Sequence, residues 1–179
     1  MKDWNVIVTI YQDGFKRALH ALQEFGPVGR SPYYNVLVMK VDDPVALLGA
    51  VERQTEENPA LYDAISRVAP ATRSFDFRSA QEFAEAAKPI VLEWASRLLG
   101  RSFHVRLHRR GGRHALPTLD TERFLNDVVV EAAGEAGAPA RISFTDPDAV
   151  MAIDTIDDRA GVSLWTREDL ARHRLLRPD

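Results

Sequence analysis

The sequence predicts an α+β protein of two successive units, a ferredoxin-like unit over residues 1–75 and an α/β core over residues 76–179. Three observations lead there. Apolar residues switch between strand-like and helix-like periodicity along the chain. A helix-start signature at Ser79–Glu82 opens a second series of elements. The 179 residues, 45% of them hydrophobic, suffice for one average domain or two small ones.

The β-branched and aromatic run Trp4–Tyr11 reads as a strand. Phe15, Ala18, Leu19, Leu22 and Phe25 form a helical stripe that stops at Gly26-Pro27. A strand over Tyr34–Val41 follows. Asp43 caps the next helix, with Pro44 in its first turn and Leu47, Leu48 and Val51 on its apolar side. A short helical piece after Pro59 leads to a strand over Ile65–Ser74. The order β-α-β-α-β within about 75 residues gives the ferredoxin-like assignment. In the second unit, Ser79 and Glu82 form a capping box for a helix through Phe83, Ala87, Val91, Trp94 and Leu98, with a break expected near Lys88-Pro89. Gly100 ends it. A strand over Ser102–Arg109 and a glycine loop to Pro117 come next. Asp120 caps a helix closed by Gly134 and Gly137. Three strands, Ala140–Phe144, Ala149–Thr155 and Ala160–Trp165, precede a last helix at Thr166–Asp169.

Composition excludes several classes. With no cysteine there is no disulfide framework, thiolate zinc site or cysteine nucleophile. No run of eighteen apolar residues is present, and Met1-Lys2-Asp3-Trp4-Asn5 lacks the build of a signal peptide, so a cytoplasmic protein away from membranes is expected. Arginine outnumbers lysine 19 to 4, a bias that a GC-rich genome also produces, so placement carries more information than number. Between Glu93 and Asp120 there is no carboxylate, while Arg97, Arg101, Arg106, Arg109, Arg110 and Arg113 fall in that gap with His104, His108 and His114. The stretch carries +6, which leaves −9 on the remainder of a chain of net charge −3. An acidic remainder repels a polyanion everywhere except at the basic stretch.

Parity sorts this stretch. Phe103, Val105 and Leu107 take the core-facing side of a strand, while Ser102, His104, Arg106, His108 and Arg110 take the other, expected to be solvated. Alternate side chains lie ~6.6–7 Å apart, close to the phosphate step of a nucleic-acid strand. Gly111-Gly112 then allows close backbone approach and supplies amide donors, flanked by Arg109, Arg110 and Arg113. Guanidinium groups suit phosphate because they donate in pairs and stay charged. The candidate RNA-binding set is therefore Arg97, Arg101, His104, Arg106, His108, Arg109, Arg110, Gly111, Gly112 and Arg113. Arg73, Arg78 and Lys88, near the junction of the units, are candidates to extend it. Trp94 reads as core, Trp165 is open, and Tyr33-Tyr34 read as packing aromatics.

Residues 76–175 resemble the THUMP domain, an RNA-binding module of tRNA-modifying systems. The features that match are the helix before Gly100, the strand Phe103–Gly111 with its Phe-x-Val-Arg and Arg-Arg-Gly, and the helix after Asp120. The Pro147-Asp148 turn, the strand Val150–Ile153 and the segment Ala160–Leu164 also match. The resemblance implies a ferredoxin-like unit ahead of a THUMP-like core that grips the acceptor end of tRNA. Stand-alone members, among them the partner of the tRNA cytidine acetyltransferase in eukaryotes, are similar in carrying no catalytic domain. A non-catalytic tRNA-binding accessory to a tRNA-modifying enzyme, with no cofactor and no metal, is what this leads one to expect.

Competing chemistry is weaker. A methyltransferase needs a glycine-rich loop after a strand, which Gly26, Gly29 and Gly49 do not make. A zinc deaminase needs a cysteine pair. A metal-dependent hydrolase would draw on Asp146, Asp148, Asp154, Asp157 and Asp158 with His104 or His114, but these aspartates have turn-like spacing. His104 and His108 at spacing four on a strand lie too far apart to share a metal easily. A protein-interaction or dimerisation module, pairing the arginine face with an acidic partner, is the other alternative.

Overall fold

The computed structural model describes residues 1–112 and 116–178. The sequence-selected Arg113 and His114 lie outside the described residues. Two compact units are present, one of residues 1–74 with 170–178 and one of residues 75–169. The closing residues 170–178, grouped with the second domain on sequence, thus pack within the first unit.

The first unit runs β1 (Val6–Ile10), α1 (Phe15–Leu22), β2 (Val28–Arg30), β3 (Val36–Met39), α2 (Pro44–Glu57), α3 (Pro59–Tyr62) and β4 (Ile65–Pro70). Its sheet has the order β2-β3-β1-β4 with every neighbour antiparallel. This is the ferredoxin-like βαββαβ arrangement, completed by the three-residue β2, which has no strand signature of its own. Asp43 caps α2 by accepting from the Ala46 amide at 2.9 Å. The segment after residue 170 is fastened by buried groups. Leu175 and Leu176 are buried, and their carbonyls accept from the Val68 amide at 2.8 Å and Arg67 Nε at 3.1 Å. Glu52 of α2 accepts the Leu175 amide at 3.1 Å and meets His173 Nδ1 at 2.7 Å.

The chain enters the second unit within β5 (Arg73–Asp76) and continues through α4 (Ala80–Ala95), a 3-10 turn (Ser96–Leu98), β6 (Ser102–Arg110), α5 (Thr118–Glu135), β7 (Arg141–Ile142), β8 (Ala149–Ile156) and β9 (Arg159–Thr166), and leaves it within α6 (Arg167–Arg172). Its five-stranded sheet has the order β5-β9-β8-β6-β7, with β6 parallel to both β7 and β8, and β8 antiparallel to β9. The expected strand Ile65–Ser74 divides at Pro70, which has no amide hydrogen to donate, and β5 joins the second sheet. Ser79 caps α4 by accepting the Glu82 amide at 3.0 Å, while Glu82 reaches back to the Arg78 amide at 2.7 Å. The break expected at Pro89 does not occur. Phe83, Ala87, Val91 and Trp94 are all buried in one cluster, and that packing carries the helix past the missing hydrogen bond. α5 starts at Thr118, two residues before the expected cap Asp120, which lies in its first turn. Thr166 and Asp169 cap α6 reciprocally at 3.0 and 3.1 Å. Among the described residues no helix is long and apolar enough to cross a membrane.

Candidate nucleic-acid interface

β6 organises the site. Phe103, Val105 and Leu107 are buried at 0–4% exposure in a cluster with residues of α4, α5, β8 and β9. On one side β6 pairs with β8 along its length, from Phe103↔Ala149 to Arg110↔Ile156. On the other, β7 covers only Ser102 and Phe103. Beyond that point no strand among the described residues pairs with this edge, and α5 completes it. The buried Asn126 accepts the Val105 amide at 3.0 Å, and the buried Glu122 accepts the Leu107 amide at 2.7 Å. Side chains four residues apart on a helix are spaced ~6 Å along its axis, and alternate strand amides ~6.6 Å. The two periods match closely enough for one helix face to stand in for a strand. This fixes β6 up to its arginine-bearing end.

β6 does not present the solvated basic face expected from sequence. Parity is as read, but the side carrying His104, Arg106, His108 and Arg110 is not openly solvated. His104 is 1% exposed, with Nδ1 at 2.9 Å from the Ser143 carbonyl and its ring 5.2 Å from that of Phe144. Arg106, His108 and Arg110 are half-buried. Arg110 Nη1 pairs with Asp154 at 3.1 Å, on the neighbouring strand, and Arg106 and His108 also have partners. A ladder of phosphates along alternate residues therefore has no free guanidinium ladder to meet it. Instead the exposed cations lie at the ends of the strand. Arg97 and Arg101 precede β6, and Arg109, Gly111 and Gly112 close it, with Gly111 and Gly112 at φ +66° and +106°. Eight residues of strand separate Arg101 from Arg109, or roughly 26 Å at ~3.3 Å per residue.

The leading end gains a member that the sequence did not single out. Pairing of Ser102 with Arg141 brings the exposed Arg141 beside Arg101, and the Arg141 amide donates to the Arg101 carbonyl at 2.9 Å. The next residues present Ile142 at 43% and Phe144 at 68% exposure. An open aromatic ring thus follows Arg141 three residues along the chain. The corner is anchored by Asp148, which accepts the Ser102 amide at 2.9 Å and hydroxyl at 3.1 Å and pairs with Arg167 at 3.0 Å. The Ser102 amide and hydroxyl, and behind them the Arg167 guanidinium, hold the Asp148 carboxyl below its ordinary value.

The aspartates considered for metal chemistry are placed as structure. Asp146 and Asp148 both pair with Arg167, and Asp154 pairs with Arg110. Asp157 and Asp158 form the β8–β9 turn, with Asp157 at φ +50°. Among the described residues no three His, Asp or Glu side chains are grouped to hold a metal. Trp94 and Trp165 are both buried.

No protein-family model and no curated protein matches the sequence. Solved structures do. PH1313 from Pyrococcus horikoshii Ot3 matches with TM-score 0.59 and 15% identity over 90% of this chain and 54% of its own. TrmN from Thermus thermophilus matches with TM-score 0.59 and 14% identity over 89% of this chain and 44% of its own. A 4-thiouridine synthetase, solved as an RNA complex with bound ATP, matches with TM-score 0.56 and 14% identity over 89% of this chain and 40% of its own. The chain spans about half or less of the length of these proteins. At such identity the likeness shows a shared fold, and that fold agrees with the THUMP-like α+β architecture expected from the sequence.

Proposed function

We propose that the chain is a non-catalytic, cytoplasmic RNA-binding protein that holds tRNA by its acceptor end as an accessory to a tRNA-modifying enzyme. The observation that carries this reading is the set of exposed arginines at the leading end of β6, Arg97 and Arg101 with Arg141 paired alongside, followed three residues after Arg141 by the exposed ring of Phe144. Guanidinium groups supply phosphate contacts and an open aromatic supplies a face for a base. Arg109 with Gly111-Gly112 adds a second contact about one strand length away, which suits a rigid, folded RNA better than a flexible single strand. The fold is shared with a 4-thiouridine synthetase solved with RNA, which favours the same class of ligand.

The test is a salt titration of tRNA binding against duplex DNA of similar length. Four exposed arginines, Arg97, Arg101, Arg109 and Arg141, should give a slope of log affinity against log salt of roughly −3 to −4. Replacing Arg101 and Arg141 with Gln should make that slope shallower by about one unit each. Equal affinity for tRNA and duplex DNA, or an unchanged slope in the double variant, would refute the reading. An acidic protein partner that competes while tRNA does not bind would favour the interaction-module alternative.

A further inference from the structure

The first unit holds a groove of its own. The turn between β2 and β3 and the start of α1 line an open groove of about 480 Å³, with Phe15, Arg30, Pro32, Tyr33, Tyr34 and Asn35 among its walls. That volume falls in the ~300–1,000 Å³ range of small-ligand sites. Tyr34, expected from sequence to be a packing aromatic, is 79% exposed. The Arg30 guanidinium lies 5.1 Å over the Phe15 ring, and among the described residues no carboxylate lines the groove. The turn is held in shape by Ser31, whose hydroxyl donates to the Val36 carbonyl at 2.8 Å and accepts the Tyr33 amide at 3.1 Å. Asn35 follows Tyr34 at φ +56°, a conformation that asparagine tolerates better than most residues.

We propose that this groove takes one unpaired nucleotide of RNA, its base stacked on Tyr34 and its phosphate met by Arg30. The inference rests on the RNA-binding reading and adds to it a place where single-stranded nucleotides are told apart from duplex. The chemistry argues for a nucleotide. A flat π face matches an exposed tyrosine ring, and a guanidinium without an acidic competitor matches the attached phosphate. A phosphorylated peptide would satisfy Arg30 but offers no comparable face to Tyr34. The groove is open, so a strand can enter and leave it without chain ends.

The test uses the full chain in two arms. In the first, adenosine and uridine 5′-monophosphates at millimolar concentration are followed by amide NMR, with inorganic phosphate and a phosphoserine peptide as comparisons. The nucleotides should move the amides of Gln12, Phe15 and residues 30–36, at least fivefold more tightly than phosphate or the peptide. Tyr34→Ala should weaken them at least fivefold, whereas Tyr34→Phe should retain them. Failure to perturb those amides, equal binding of the phosphopeptide, or indifference to Tyr34→Ala overturns the proposal. In the second arm, a blunt RNA hairpin is compared with one bearing an unpaired extension. The wild type should prefer the extension at least fivefold, Tyr34→Ala should lose that preference, and Arg101→Gln with Arg141→Gln should weaken both hairpins alike. A Tyr34→Ala protein that keeps the preference overturns the groove while the RNA reading stands. A wild type that binds neither hairpin overturns the RNA reading, and the mononucleotide arm then judges the groove by itself.

Discussion

Replacing Glu122 with leucine should strip β6 of the acceptor that closes its edge and destabilise the second unit measurably. The Leu107 amide is buried and bonds Glu122 Oε1 at 2.7 Å, and among the described residues no strand pairs on that side beyond Phe103 to take it over. Leaving a buried amide unsatisfied costs roughly 1–3 kcal/mol. For a chain of this size each kcal/mol is worth about 2–4 °C in Tm, so a fall of several degrees is expected. Glu122→Gln keeps a carbonyl acceptor of similar reach and should lose much less. Asn126→Leu should behave like Glu122→Leu through the Val105 amide. The double variant should fall short of the sum, because both side chains hold one short edge. Urea unfolding followed through Trp94 and Trp165, both buried in the second unit, reads the change. Amide exchange should also accelerate at Val105 and Leu107. A Glu122→Leu protein within ~0.5 kcal/mol of wild type, the range of ordinary surface substitutions, would refute the edge-closing role.

Three further outcomes follow from the same geometry. Gly14→Ala should destabilise the first unit by about 1–3 kcal/mol in chemical denaturation, since an added Cβ would stand 2.5 Å from the Ala64 Cα. The Asp148 carboxyl should titrate below 3.8 by carbon-detected NMR, chiefly because the folded state bonds its ionised form to Ser102. Its folded value is depressed, so its contribution to stability is present above the unfolded value and fades as pH falls through the folded one. Ser102→Ala should therefore move the Asp148 midpoint upward and make the protein unfold at a higher pH on acidification. Phe144→Ala, at a 68% exposed position, should cost only the ring contact with His104 in thermal stability and weaken tRNA binding about fivefold or more.

What was legible in the sequence was mostly local. Ser79, Asp43 and the Thr166/Asp169 pair announce helix starts because a cap is decided within four residues, and all three cap as read. The parity of Phe103, Val105 and Leu107 identifies the core-facing side of β6 for the same reason. Long-range pairing was not legible. Alternation says which way His104 points but not that the Ser143 carbonyl and Phe144 lie over it. Asp154 comes beside Arg110 only through parallel pairing of β6 with β8, across 44 residues of sequence. Arg141 joins Arg101 by the same kind of pairing, through a strand of two residues. At Pro89 the local signal was clear and was overridden by burial of the helix face around it. The charge gap between Glu93 and Asp120 remained informative, but its arginines separate to the two ends of a strand instead of forming one row.

The most direct measurement is ultraviolet crosslinking of tRNA to the intact chain, with the adducts located by mass spectrometry. Nucleotide adducts on Phe144, with others within residues 97–101 and 109–112, are the expected result. Adducts confined to other parts of the second unit, or none at all under conditions where tRNA binds, would contradict the placement of the interface at the two ends of β6.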